Sequence, residues 1–372
     1  MLRSRCRSAG PSKFQMCGSV VLFGVLGVAV CLPYRSGDDE MLRTIMWLLF
    51  TVFSFYAAKI TFVVFDLLAS LPKLFRRRRL SGLSVAGGIA AVVVFLAMWW
   101  GALVNRYRTQ IREVEIPVEN LPDSFDGMRI VQFSDLHAGT YGADTTFVSQ
   151  LVDRINSLNG DVIVFTGDIV NRHSQELIPH LSPLSRLDAT HGVYSIMGNH
   201  DYGDYSSWPS DEAKAADVAK LEDMERSIGW KLLLNESDYI YADGDSIAVI
   251  GVENIGDPPF KVYGSLRDSY GNLSDPTVKI LLTHNPAHWA QEVAGSGDMK
   301  VDLTLSGHTH AMQIEVAGVS PACFRYDTWG GLYNDAEEKH PLYVNIGVGT
   351  VGMPMRLGAV PEITVLTLRK KQ

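Results

Sequence analysis

The stretch VDLTLSGHTH, residues 301–310, runs from an apolar segment through a glycine into His308 and His310, two positions apart. A short β-branched and leucine-rich run with turn chemistry behind it reads as a buried strand. Here that strand ends in imidazoles. Four other stretches share the pattern. MRIVQFSDLH (128–137) ends in Asp135 and His137, and DVIVFTGD (161–168) ends in Asp168. GVYSIMGNHD (192–201) ends in Asn199, His200 and Asp201, and VKILLTHNP (278–286) contains His284. SIAVIGVEN (246–254) is a further apolar run ending in polar residues. Between these runs lie helical patterns. In DTTFVSQLVDRINSLNG (144–160), Asp144 serves as cap, Phe147, Leu151, Ile155 and Leu158 form the apolar stripe, and Gly160 is the stop. SQELIPHLSPLSRL (174–187) reads as a helix interrupted by proline. Strand–helix alternation predicts an α/β fold, and in such folds sites gather beyond the carboxyl ends of strands.

Any single one of these polar endings is weak, because a lone histidine at a strand end is most often structural. Together they make a donor set of carboxylate and amide oxygens with imidazole nitrogens and no thiolate, which suits Mn, Fe or Zn and not a structural zinc. Alternate residues at a strand end face the same way, so His308 and His310 alone would point to one shared ion. Seven ligand side chains exceed what one ion with an open position needs. They suit two ions about 3.5–4 Å apart that share a carboxylate and polarise a phosphoryl group for attack by a bridging hydroxide. A histidine beside a ligand, as in GNHD, is placed to protonate a leaving oxygen.

The ordered set DLH…GD…GNHD…H…GHTH resembles the signature of the calcineurin-like metallophosphoesterases, over residues from about 114 to the C-terminus. The tail LYVNIGVGTVGMPMRLGAVPEITVLTL (342–368) is similar to that of the membrane-attached bacterial, YkuE/YaeI-like branch. The resemblance implies a four-layer αββα sandwich. It implies that Asp135, His137 and His310 serve a first divalent metal, that Asp168 bridges, and that Asn199, His284 and His308 serve a second. It gives His200 the role of general acid or transition-state stabiliser, oriented by Asp201. Many relatives read GHTHGGQ, whereas this chain reads GHTHAMQ, which adds the side chains of Ala311 and Met312 where glycines allow close approach. Arg172 and Arg356 are candidates for the substrate phosphate, since a guanidinium binds phosphate bidentately. YGDYSSWPSDEAKAAD (202–217) is expected to be a surface loop or lid. CFRYDTWGGLY (323–333) reads either as a lid or as a hairpin packed on the sheet.

The N-terminal third is different. Three apolar segments, 16–32, 45–71 and 83–104, predict two to three transmembrane helices within a membrane region of residues 1–112, ahead of a catalytic domain at 113–372. The basic arm (Arg3, Arg5, Arg7, Lys13) also suits a signal peptide, although no clear cleavage site follows. Lys59 and Asp66, seven apart on one helical face, are expected to satisfy each other or a polar neighbour. The KLFRRRRL loop (73–80) and the basic arm place those segments in the cytoplasm and the catalytic domain outside it. Residues 1–112 carry 15 Lys+Arg and 4 Asp+Glu, a net of +11, while residues 113–372 carry 18 and 37, a net of −19. Such an acidic domain opposes nucleic acid as a partner.

The residues thus predict a membrane-anchored, two-metal phosphoesterase acting on a phosphomonoester, phosphodiester or pyrophosphate, with a lipid-linked substrate suggested by the anchor. The alternative is a membrane scaffold or sensor that binds metal or a phosphorylated ligand without turnover.

Overall fold

The computed structural model describes residues 10–35, 38–256, 258, 261–273, 277–294, 299–337 and 339–371. Arg3, Arg5 and Arg7 of the basic arm lie outside them. The chain divides into two compact units: Met1–Ala102 with Gly352–Met355, and Leu103–Val351 with Arg356–Gln372. The second unit begins at Leu103, and its first strand starts at Gln110.

Among the described residues, the N-terminal part of the chain forms the α-helices α1 (Gly10–Cys31), α2 (Asp39–Ser70) and α3 (Ser81–Leu103). Asp38 caps α2 by accepting from the Met41 amide at 2.7 Å. The helical stretches Asp39–Phe75 and Ser81–Tyr107 are long and apolar enough to cross a membrane; the apolar part of α1, Met16–Cys31, is shorter. Lys59 and Asp66 each find a polar neighbour and not one another. Lys59 Nζ donates to Ser19 Oγ at 2.8 Å, and the buried Asp66 carboxylate pairs with Arg79 and accepts from Ser84 Oγ. Arg79 neutralises the Asp66 charge that apolar surroundings would otherwise penalise, and Ser19 gives the Lys59 ammonium an acceptor.

The second unit holds two six-stranded mixed sheets. One sheet comprises β1 (Gln110–Val118), β2 (Arg129–Phe133), β3 (Val162–Phe165), β4 (Val193–Ser195), β5 (Lys231–Leu232) and β12 (Glu362–Lys370), in the order β1-β12-β2-β3-β4-β5. The other comprises β6 (Glu236–Ala242), β7 (Asp245–Gly251), β8 (Lys279–Leu282), β9 (Leu303–Ser306), β10 (Gly331–Tyr333) and β11 (Leu342–Val344), in the order β10-β11-β9-β8-β7-β6. Strands β2 to β5 run parallel, as do β7, β8, β9 and β11. The sheets face each other across one core, where Ile130, Val162, Val164 and Tyr194 meet Val249, Ile280, Leu282 and Leu305.

Helices α4 (Thr146–Asn156), α5 (Leu181–Leu184) and α6 (Asp211–Ser227) supply the buried Phe147, Leu151, Ile155, Leu184 and Leu221 that cover the outer face of the first sheet. Helix α7 (Leu266–Tyr270) and residues Trp289–Val293 cover the second. The result is the expected αββα sandwich. Within the predicted segment 144–160, the Asp144 side chain accepts from the Thr146 amide at 2.9 Å, and the α4 stripe is buried as its spacing requires. The proline-bearing 174–187 stretch forms a 3-10 helix, Ser174–His180, followed by the single turn of α5, since an interior proline removes a helical hydrogen bond.

Candidate metal centre

Strands β2, β3 and β4 of one sheet and β8 and β9 of the other all point their carboxyl ends to one place. Asp135 and His137 follow β2, Asp168 follows β3, Asn199 follows β4, His284 follows β8, and His308 and His310 follow β9. To turn donors into this space the chain bends hard. Asp135, His137, Asp168, His308 and His310 all have positive φ, between 49° and 76°. A left-handed non-glycine residue costs about 1–2 kcal/mol, so five such ligands store strain that the fold must offset. Two motif glycines are explained by close approach. A Cβ on Gly198 would strike the Asp168 carboxylate, and one on Gly307 would lie 2.5 Å from Asp135 Oδ2.

The donors form two groups, Asp135–His137–His310 and Asp168–His284–His308. In the first, His137 Nε2 is 3.0 Å from His310 Nε2, which is 3.1 Å from Asp135 Oδ1. In the second, His284 Nε2 is 3.2 Å from Asp168 Oδ2 and 3.3 Å from His308 Nδ1. Asp168 Oδ2 is also 3.7 Å from His137 Nε2 of the first group, so this carboxylate stands between the two. His308 and His310 therefore use different nitrogens and face different groups, although they are two apart. Their left-handed backbone breaks the alternation of a strand.

The side chains suit divalent cations. Asn199 donates its Nδ2 to the Tyr205 hydroxyl at 2.8 Å, and its buried Oδ1 has no hydrogen-bond partner among the described residues, which leaves one hard oxygen unpaired. Burial opposes a charged His284, yet Asp168 outweighs it and raises the ring to about 9. Burial lowers His308 to about 3, with the charge on His284 adding to it. Burial works to raise Asp135, but the adjoining His310 and His284 hold its carboxyl below the ordinary range. Burial likewise lowers His137 and His310, favouring the neutral form in which imidazole binds metal.

The surrounding contacts hold these rings. Thr166 O lies 2.7 Å from His284 Nδ1, and the Tyr326 hydroxyl 3.3 Å from His308 Nε2. His310 Nδ1 faces Arg356 Nη2 at 3.0 Å. Such outer contacts fix ring orientation. His200 stacks on Tyr205 with ring centroids 4.0 Å apart, and its Nδ1 lies 2.7 Å from the Asn171 carbonyl, so Nδ1 is the protonated nitrogen and Nε2 the free one.

Two expected roles change. Asp201 does not orient the His200 ring. Its carboxylate accepts four amides, Asp168 N and Gly198 N on Oδ2 at 2.8 Å each, and Ile169 N and Val170 N on Oδ1 at 2.9 and 3.1 Å. It clamps the loop that carries Asp168; burial and the Asp168 charge push it up to about 7. Arg356 is not presented to a substrate. It is fully buried and donates to the carbonyls of Gly349, Ile346 and Ala359 besides meeting His310. Arg172 is 4 % exposed, with Nε 3.8 Å from Glu176 Oε1.

Tyr205 and Tyr326 had no signal in the motifs themselves. They lie in the two segments read as lids, 202–217 and 323–333, and their aromatic content was the available clue. The first of these segments turns into α6 at Asp211, and the second ends in β10, paired antiparallel with β11, so it is both a lining loop and a sheet hairpin. Ala311 tucks against Ile346 and Ala359, while Met312 is 43 % exposed.

Two clusters of oxygen and imidazole donors sharing a carboxylate, at the strand ends of an αββα sandwich, define a two-metal hydrolase class. Residues 128–312 match the calcineurin-like phosphoesterase family. The chain is 30 % identical over 380 residues to a transmembrane protein with metallophosphoesterase domain from Danio rerio, covering 97 % of this chain and 83 % of that one. It is also 30 % identical to the metallophosphoesterase YkuE of Bacillus subtilis (strain 168), over 80 % of this chain and 99 % of the relative. Among solved structures, a dimetal phosphatase from Danio rerio aligns with a TM-score of 0.34 at 12 % identity, over 61 % of this chain and 90 % of that one. The chain belongs to the calcineurin-like metallophosphoesterases and is a metal-dependent phosphoric ester hydrolase.

Proposed function

We propose that the protein is a membrane-anchored phosphoesterase that hydrolyses a phosphomonoester, phosphodiester or pyrophosphate of a lipid-linked substrate on the extracytoplasmic side. The observation that carries the catalytic part is the convergence of six donor side chains in two groups around Asp168. Asp135, His137 and His310 would hold one divalent ion, and His284, His308 and Asn199 the other, with Asp168 common to both. Mn, Fe and Zn all suit this donor set. When bound, such ions supply Lewis acidity to a phosphoryl oxygen and an activated water.

The protein's own groups do the rest. The Asn171 carbonyl and Tyr205 fix the His200 ring with Nε2 as its free end. When the ring carries a second proton, on Nε2, that proton would be available to a leaving oxygen. Asp201 keeps the Asp168 loop rigid through four amide bonds, and Arg356 holds the His310 ring. Two apolar helices ahead of the domain support anchoring, and the basic 73–80 loop supports an outward catalytic unit.

The test is hydrolysis of bis-p-nitrophenyl phosphate by the purified full chain, with metal content measured in parallel. Asp168→Asn should abolish turnover and lower metal content. Unchanged hydrolysis would overturn the two-metal assignment, and two bound metals with no turnover on any phosphoester would favour the scaffold reading.

A further inference from the structure

Beyond the metal-ligand turn, the segment from Met312 to Phe324 presents an unusual edge. Val316 and Val319 bond to each other through both backbone amides, at 2.9 and 3.1 Å, around a turn in which Ala317 and Gly318 have φ of 52° and 79°. This is a tight hairpin with a valine at each side of its tip. The valines are 65 % and 62 % exposed, Phe324 is 92 % exposed, and Met312 is 43 % exposed. Four apolar side chains within thirteen residues thus face outward beside a metal centre, where isolated exposed hydrophobics would need no explanation.

The hairpin is tied to the ligand turn. Ser320 Oγ donates to the Ala311 carbonyl at 2.5 Å, and Glu315 N and Leu357 N exchange backbone bonds with Leu357 O and Gln313 O at 2.8 Å each.

The same corner of the second unit also holds Asn105, which follows α3 in the chain. The candidate span Ser81–Tyr107 includes Asn105, whose Nδ2 donates to the Arg356 carbonyl at 2.9 Å. Arg356 holds His310 and immediately precedes Leu357. Within the second unit, Arg356 therefore links Asn105, a metal ligand and the base of the exposed hairpin. The hairpin carries no basic cluster, only Glu315 and Arg325 near its ends. Its chemistry suits the apolar interior of a lipid surface and not an anionic headgroup layer.

We propose that the Val316–Val319 hairpin and Phe324 dip into the bilayer surface and hold the mouth of the metal centre at the lipid boundary. This rests on the membrane-anchored reading above and gives it a substrate class, a phosphoester borne on a lipid. The substrate would reach the metals without leaving the bilayer with its apolar part.

The experiment uses the full chain in nanodiscs of phosphatidylcholine, with or without bromine on the acyl chains, and reads tryptophan fluorescence. Trp47, Trp99 and Trp100 lie in the candidate spans and report whether those helices occupy the bilayer. Phe324→Trp and Val319→Trp, at exposed positions that tolerate a larger ring, should each add emission that brominated lipid quenches several-fold. Native emission quenched while the added emission is not would overturn the docking proposal alone. Native emission that is also unquenched would overturn it together with the membrane anchoring. Neither readout depends on turnover, so failure of the phosphoesterase assignment is seen separately.

Discussion

Replacing Tyr205 with Phe tests whether the loop after GNHD helps hold the second metal. The hydroxyl accepts from Asn199 Nδ2 at 2.8 Å, and Asn199 is 6 % exposed, so its amide has little access to water in compensation. Burial and the nearby Asp168 charge raise the phenol to about 12, and at neutral pH it is an uncharged hydroxyl. Removing it strands a buried donor, which costs about 1–3 kcal/mol, or roughly 5- to 150-fold in a binding constant. The ring stays, and with it the 4.0 Å stack on His200. Calorimetric titration of Mn²⁺ into the chelator-treated full chain should therefore resolve two phases. Tyr205→Phe should weaken one of them by about 10- to 100-fold, the range for outer-shell contacts, and leave the other in place. The untouched phase belongs to the group ordered by the buried Arg356–His310 contact. Equal weakening of both phases, or of neither, would refute the assignment of Asn199 and Tyr205 to one ion.

Asp201→Asn should loosen the Asp168 loop and lower metal retention at least tenfold, while the limbs of the pH–rate profile keep their positions. A displaced limb at normal metal content would restore Asp201 to a proton-transfer role with His200. Glu225 is fully buried, and burial followed by the Asp201 charge pushes it up to about 8. Its folded value lies above the ordinary one, so its contribution to stability is present below about pH 4.5 and is lost as pH rises through 8. Thermal melts should then show Glu225→Gln gaining on the unmodified chain between pH 6 and 8 by on the order of 2 kcal/mol, and a constant gap would contradict this. Met312 has φ 44° and is 43 % exposed, so Met312→Gly relieves about 1–2 kcal/mol of backbone strain at little packing cost. After the entropy that glycine returns to the unfolded chain, a gain of up to about 1 kcal/mol should appear as a higher melting temperature.

The Ala311–Met312 departure shows how a sequence pattern acquires a different meaning in three dimensions. Read along the chain, it adds side chains to a substrate pocket. In the structure, His310 through Gln313 all have positive φ, between 44° and 60°. Glycines in that position would serve backbone conformation first. Ala311 turns inward to a small apolar cluster, and only Met312 is left on the rim.

The sequence by itself determined β2, β3, β4, β7, β8 and β9, because apolar runs ending in turn residues are local signals. It also named every donor in the two clusters, because each ends such a strand. The alternation of strand and helix predicted an α/β fold, and the two-sheet sandwich came only from the family resemblance. The arrangement of contacts around the donors was decided only by tertiary structure. Asp201 sits next to His200 in the chain, yet a carboxylate buried under four amides has no reach left for a ring. Arg356 looked like a phosphate arm, yet packing closed the sheet edge over it and bound it to carbonyls. Tyr205 and Tyr326 reach Asn199 and His308 across gaps of 6 and 18 residues, set by how two loops fold over the sheet ends. Local periodicity records which residues face a strand end. Which of them meet depends on the packing of two sheets, and no short window of sequence contains that.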